Sequence, residues 1–182
     1  MLKKHIILVC CTMFLLMPII TGATEVGEKL PAFTGKDMNG NPVDLAMVIG
    51  KRPVMLIFWS TWCANCKQEI PKINKLVEKY QKKGMKFIGI NVGMNDTEKK
   101  ARKYIQDFKM TYPNVFDKTG ELSEKYEIPQ VLTVFVARKD GKVVMKFTTA
   151  PIIDDINFRS LQQLPPSKED LQKYPVPKLY NE

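Results

Sequence analysis

Val54-Met55-Leu56-Ile57-Phe58-Trp59-Ser60-Thr61-Trp62-Cys63-Ala64-Asn65-Cys66 is the stretch on which the fold turns. From Pro53 to Trp59 the apolar run is unbroken and of strand length, the pattern of a strand covered on both faces in a parallel sheet. From about Ala64 to Lys83 the apolar residues Ile70, Ile73, Leu76, Val77 and Tyr80 recur at spacings of three and four, which predicts a long amphipathic helix, and Gly84 supplies its stop. The two cysteines therefore stand where a buried strand gives way to a helix.

Working outward, Lys86 to Val92 predicts a second apolar strand and Thr97 to Phe108 a second helix, with Ala101, Tyr104, Ile105 and Phe108 on its inner face. Pro113 to Phe116 adds a short extended piece and Leu122 to Tyr126 a short helix. Val131 to Ala137 and Val143 to Thr148 flank the turn Lys139-Asp140-Gly141-Lys142 as a hairpin, and a last helix fits Ile152 to Leu161. Upstream, Asn39-Gly40 between short apolar patches in Phe33 to Leu45 predicts a small hairpin ahead of the main fold. A parallel βαβ unit followed by an antiparallel ββα unit is an α/β sandwich around one sheet.

The 182 residues, 45% hydrophobic and 26% charged, describe one globular domain and exclude a disordered chain. The first 23 residues read as an export signal: Lys3 and Lys4, an apolar stretch from Ile6 to Ile20, then small residues ending at Ala23. An uncleaved single-pass anchor is the other reading, although the stretch is short for a span. The organisation expected is thus 1–23 signal peptide or N-terminal anchor, 24–164 the folded domain, and 165–182 an extended tail containing Pro165, Pro166, Pro175 and Pro177.

Cleavage removes Lys3 and Lys4 and no acid, so the net charge falls by two, from +9 to +7. It also removes Cys10, Cys11 and His5, the only histidine. A mature chain without histidine excludes Cys-His proteases, Ser-His hydrolases and His-ligated metal sites. The remaining positive charge is scattered along helices, as at Lys99, Lys100, Arg102 and Lys103, without interleaved aromatics. It reads as solvated helix faces, with weak attraction to an anionic membrane surface as the residue, and gives nucleic acid binding no support.

Cys63 and Cys66 remain. A thiol in the first turn of a helix meets unpaired backbone N–H groups and the positive end of the dipole, which favour thiolate and nucleophilic attack on a disulfide. Cys63 would be the exposed attacking sulfur, and Cys66 the buried resolving one that releases reduced substrate. A zinc site lacks ligands, and a purely structural disulfide closing so short a loop constrains the unfolded chain little.

The segment Phe58 to Pro71, Phe-Trp-Ser-Thr-Trp-Cys-Ala-Asn-Cys-Lys-Gln-Glu-Ile-Pro, closely resembles the active-site segment of the TlpA/ResA-like extracytoplasmic thiol-disulfide oxidoreductases. The resemblance runs from about Gly27 to Leu164 and includes Asn91-Val92-Gly93 and Asp140-Gly141-Lys142-Val143. It implies a thioredoxin-like three-layer sandwich with an N-terminal β-hairpin extension, Trp62 as the active-site aromatic, and a redox-active Cys63–Cys66 disulfide needing no other cofactor. It implies periplasmic or otherwise extracytoplasmic work, reducing disulfides in exported proteins such as apocytochrome c with electrons from a membrane thiol donor. Glu69 matches a glutamate typical of the family and shares a helix face with Cys66. Ordinary thioredoxins have a buried aspartate where this chain has Ile57, so Glu69 is the candidate for moving the Cys66 proton, with a pKa raised by burial.

The chain departs from the family at the substrate loop. Thioredoxin-fold oxidoreductases carry a cis-proline facing the CxxC, and ungapped counting from Gly141 and from Tyr126 puts that position at Leu132. Pro129 would require a shift of three residues. With Leu132 there, Val131-Leu132 is expected to be trans, because a cis bond without proline costs about 3 kcal/mol. Two rival functions remain: a thioredoxin-fold binding module with a vestigial or regulatory CxxC, and a thiol peroxidase. Against the second, peroxiredoxins have proline seven residues before the reactive Cys, where this chain has Leu56, although Ser60 matches the Thr or Ser three residues before it.

Overall fold

The computed structural model describes residues 24–165, 167 and 172. The proposed signal segment, and most of the proline-containing tail, lie outside the described residues. Two strands, β1 (Thr34–Lys36) and β2 (Pro42–Asp44), form the small antiparallel hairpin. Its loop is longer than Asn39-Gly40 alone suggests: the Asp37 carboxylate accepts the N–H groups of Asn39 and Asn41, each at 2.8 Å, with Gly40 at φ +84° between them.

The main sheet has five strands, β3 (Val54–Trp59), β4 (Lys86–Asn91), β5 (Asn114–Phe116), β6 (Thr133–Ala137) and β7 (Val143–Phe147), in the order β5-β4-β3-β6-β7. β3 pairs parallel with β4 and antiparallel with β6. The expected βαβ and ββα units thus meet at β3, whose six residues are all buried.

The pleat sends alternate residues of β3 to opposite faces. Met55, Ile57 and Trp59 join the core beneath the helices α1 (Ala64–Tyr80), α2 (Glu98–Asp107) and α4 (Asp155–Leu161), which contribute Ile70, Ile73, Tyr104 and Phe158. Val54, Leu56 and Phe58 face a second core closed by the N-terminal hairpin, Tyr126, and the short helix α3 (Glu121–Lys125). These three layers form the thioredoxin-like sandwich expected. At Gly89 in β4 a Cβ would stand 1.9 Å from Asn114 Oδ1, the atom that accepts the Trp59 indole N–H at 3.0 Å. Glycine there leaves room for the bond that fixes the end of β3, the residue from which the chain turns toward Cys63.

Candidate active site

Beyond Trp59 the chain turns through Ser60, Thr61 and Trp62, and this turn is tied down from the loop after β4. Asp96 accepts the Thr61 N–H and the Thr61 hydroxyl, each at 2.8 Å, the Asn91 side-chain amide at 2.9 Å, and the Thr97 N–H at 2.9 Å. Partial burial works to raise the Asp96 pKa, but these donors outweigh it and hold the carboxyl below its ordinary value. Trp62 donates its indole N–H to the Met94 carbonyl at 2.8 Å.

Cys63 is the N-cap of α1, with φ −76° and ψ 110°, and its Sγ accepts the Cys66 N–H at 3.0 Å. A sulfur in this position takes the place of the usual capping oxygen, facing N–H groups that have no partner inside the helix. Cys66 lies one turn on, with the two Cα atoms 5.3 Å apart and the sulfurs joined. The expectation of an exposed Cys63 needs correction: it is 4% exposed against 0% for Cys66. Turning inward to cap the helix and to bond Cys66 draws its sulfur under the surface. As whole residues, Cys63 remains the less buried of the two.

Glu69 is buried on the inner side of α1, as the helix face required, but not as a protonated acid. Its Oε1 accepts Lys72 Nζ at 2.6 Å and its Oε2 accepts the Ala150 N–H at 2.8 Å. The Lys72 hydrogen bond, then the Ala150 N–H, outweigh burial and lower its pKa, so the expected upward shift is corrected. One turn earlier Asn65 donates to the Thr148 carbonyl at 2.6 Å. Asn65 and Glu69, at i and i+4, together fasten the start of α1 to the segment after β7. Sequence reasoning missed Asn65 and Asp96. The only signals were a polar residue between the cysteines and an acid just ahead of the Thr97 helix cap.

The facing loop, residues 128–132, leads into β6. The Val131-Leu132 peptide bond is cis, which corrects the trans bond expected; Ile128-Pro129 is not cis. The expectation weighed only the local preference, whereas Leu132 is fully buried in the core that contains both cysteines, and Val131 packs against both cores. Between this loop and Trp62 runs a groove of about 520 Å³, lined by Met94, Gly120, Ser123 and Ile128 to Val131. Trp62 is 46% and Met94 61% exposed beside it. Among the described residues no three His, Cys, Asp or Glu side chains gather to hold a metal ion.

The arrangement can open and close one disulfide. The AhpC/TSA family model matches residues 26–146. The thiol-disulfide oxidoreductase ResA of Bacillus thuringiensis subsp. konkukian is 33% identical over 122 residues, 67% of this chain and 69% of its own. That of Geobacillus kaustophilus is 32% identical over 144 residues, 79% and 80% of the two chains. Among solved structures, the thioredoxin domain of a thiol-disulfide oxidoreductase from Bacteroides vulgatus superposes with a TM-score of 0.61 at 25% identity, covering 76% of this chain and 96% of that one. The chain belongs to the AhpC/TSA family and, within it, to the thioredoxin-fold thiol-disulfide oxidoreductases of the ResA kind.

Proposed function

We propose that the chain reduces disulfides of exported proteins outside the cytoplasm, using Cys63 as nucleophile and Cys66 as resolving thiol. The observation that carries this reading is the N-cap: Cys63 Sγ receives the Cys66 N–H at 3.0 Å, while Cys66 has no exposed surface. A Cys63 thiolate, favoured by that N–H and by the helix end, attacks one sulfur of a substrate disulfide. A Cys63–substrate bond forms and the second substrate sulfur leaves as thiolate. Cys66, as thiolate, then attacks Cys63 Sγ, closes the protein disulfide and expels the first substrate thiol. Two electrons pass to the substrate, and a dithiol donor, in this reading a membrane thiol protein, restores the reduced pair.

Trp62 immediately precedes Cys63, and Val131 and Leu132 pack in the core that contains both cysteines. Val131 makes no backbone hydrogen bond among the described residues, leaving peptide groups on which an extended substrate segment can pair. Glu69 takes one donor at each carboxylate oxygen, Lys72 and the Ala150 N–H, and in this reading its main part is to hold the helix in place. In this reading apocytochrome c is one such exported substrate, and residues 1–23 serve as the export signal or anchor.

Cys63→Ser is expected to abolish reduction of a disulfide substrate, and Cys66→Ser to accumulate the mixed disulfide. Limited alkylation of the reduced protein should label Cys63 first; labelling of Cys66 first would reverse the assignment. The direction of flow is read from the reduction potential of the pair, where a reductant lies toward about −270 mV and an oxidant toward about −120 mV.

A further inference from the structure

Residues 24–165 hold 23 Lys and Arg against 16 Asp and Glu, a net charge of +7. That charge is gathered in one place. Residues 64–83, which include α1, and 97–109, which include α2, hold eleven cations against four carboxylates and so carry all seven charges. The rest of 24–165 balances at twelve against twelve. All eleven cations are exposed, and the two helices lie side by side. They cover the same face of the sheet, and the Asn74 amide on α1 donates to the Phe108 carbonyl at the end of α2 at 2.7 Å. Six of the cations, Lys67, Lys75, Lys82, Lys99, Lys100 and Lys109, form no ion pair among the described residues.

Like charges gathered on one face repel one another, while their summed field attracts an anionic surface. The make-up of the face selects which surface. Ten of the eleven cations are Lys, and the large exposed apolar side chains, such as Trp62, Met94, Phe147 and Ile152, all lie outside 64–83 and 97–109. Interfaces between proteins are depleted of Lys and centre on aromatic and apolar side chains. Anionic lipid headgroups require neither, and each Lys near them adds its own increment to binding. We infer that the outer face of α1 and α2 docks on an anionic phospholipid membrane surface. The groove beside Trp62 takes no lining residue from either helix, so docking leaves it open, and Cys63, the N-cap of α1, stands at the end of the docked helix. The inference goes beyond the proposed disulfide reduction and rests on it only for the export signal or anchor, whose apolar stretch from Ile6 to Ile20 brings the chain to a membrane.

The test measures partition of the full chain onto two kinds of vesicle, phosphatidylcholine alone and phosphatidylcholine with about 30% phosphatidylglycerol. The apolar N-terminal stretch meets both. In dilute buffer partition onto the anionic vesicles should be about thirtyfold greater, and the ratio should contract to about threefold at about 0.5 M sodium chloride. Replacing Lys75, Lys82, Lys99 and Lys100 together by Gln should lower the dilute-buffer ratio about tenfold. Replacing Lys36, Lys51, Lys118 and Lys142 together by Gln removes the same charge from the balanced part of the chain, and should change the ratio less than about twofold. A ratio near one, a ratio that salt leaves unchanged, or equal losses in the two variants overturns the inference. Binding to soluble polyglutamate without binding to anionic vesicles would assign the face to an acidic protein and overturn it too. Reduction of the uncharged 2-hydroxyethyl disulfide, measured without vesicles, tests the oxidoreductase function separately, because neither result alters the other.

Discussion

The two flanks of the Cys63–Cys66 bond are built in opposite ways. On one, the loop after β4 and the segment after β7 reach the start of α1 through directed hydrogen bonds, Asp96 to Thr61, Asn65 to Thr148 and Glu69 to Ala150. On the other, α3 and the loop to β6 offer an apolar groove and, among the described residues, a backbone without hydrogen bonds at Val131. Polar groups inside a domain are matched because leaving them unmatched costs stability. The anchored flank fixes the start of α1, and the open flank leaves the groove beside Trp62 exposed.

This contrast can be broken most severely at Asp96. Asp96→Ala removes an acceptor shared by four donors, one of them the backbone N–H of Thr61, and should cost about 3 kcal/mol, a fall in Tm of roughly 6 to 12 °C. A melting curve within a degree of the unsubstituted protein would mean that Asp96 does not anchor the turn.

Glu69→Gln should cost less, about 1 to 2 kcal/mol near neutral pH, since the amide oxygen can still accept from Ala150. Its pH dependence has a definite sign. The Glu69 carboxyl is held below its ordinary 4.5 in the folded chain, so its contribution is complete above that value and is lost as the pH falls through the lowered one. The gap in Tm between the two proteins should therefore close in acid, and a gap that widens there would contradict the ionised carboxylate. Between pH 6 and 9 the exchange rate of Glu69→Gln should fall only slightly; a steep loss confined to resolution would assign Glu69 the proton transfer itself.

Asn65→Ala, losing one bond to a carbonyl, should cost about 1 kcal/mol. The smallest effect belongs to the open flank. Glu127 sits at φ +43°, where glycine is at ease and a side chain is strained, so Glu127→Gly should raise stability by up to about 1 kcal/mol. Destabilisation by this change in chemical denaturation would show that the flank relies on Glu127 structurally.

Much of the fold was legible because its signals are local. The buried run before Cys63, the spacing from Ile70 to Tyr80, and Gly84 at φ +101° just past α1 each depend on neighbours a few residues away. The cysteine pair was legible for the same reason. The anchoring partners were not, since Asp96 lies 35 residues from Thr61, and Thr148 and Ala150 more than 80 from Asn65 and Glu69. The sign of the Glu69 shift depended first on Lys72, three residues on along α1, and then on the distant Ala150 N–H, and burial alone pointed the wrong way.

The two tryptophans, three residues apart and on either side of the turn into the site, differ completely in exposure: Trp59 is wholly buried and Trp62 nearly half open. A small quencher dissolved in the buffer therefore reaches the fluorescence of one indole and leaves the other untouched. Because Trp62 forms a wall of the groove, a docked peptide shields it, and the quenchable fraction of the emission falls as the groove fills. The chain thus carries its own optical gauge of occupancy, with Trp59 as the internal standard.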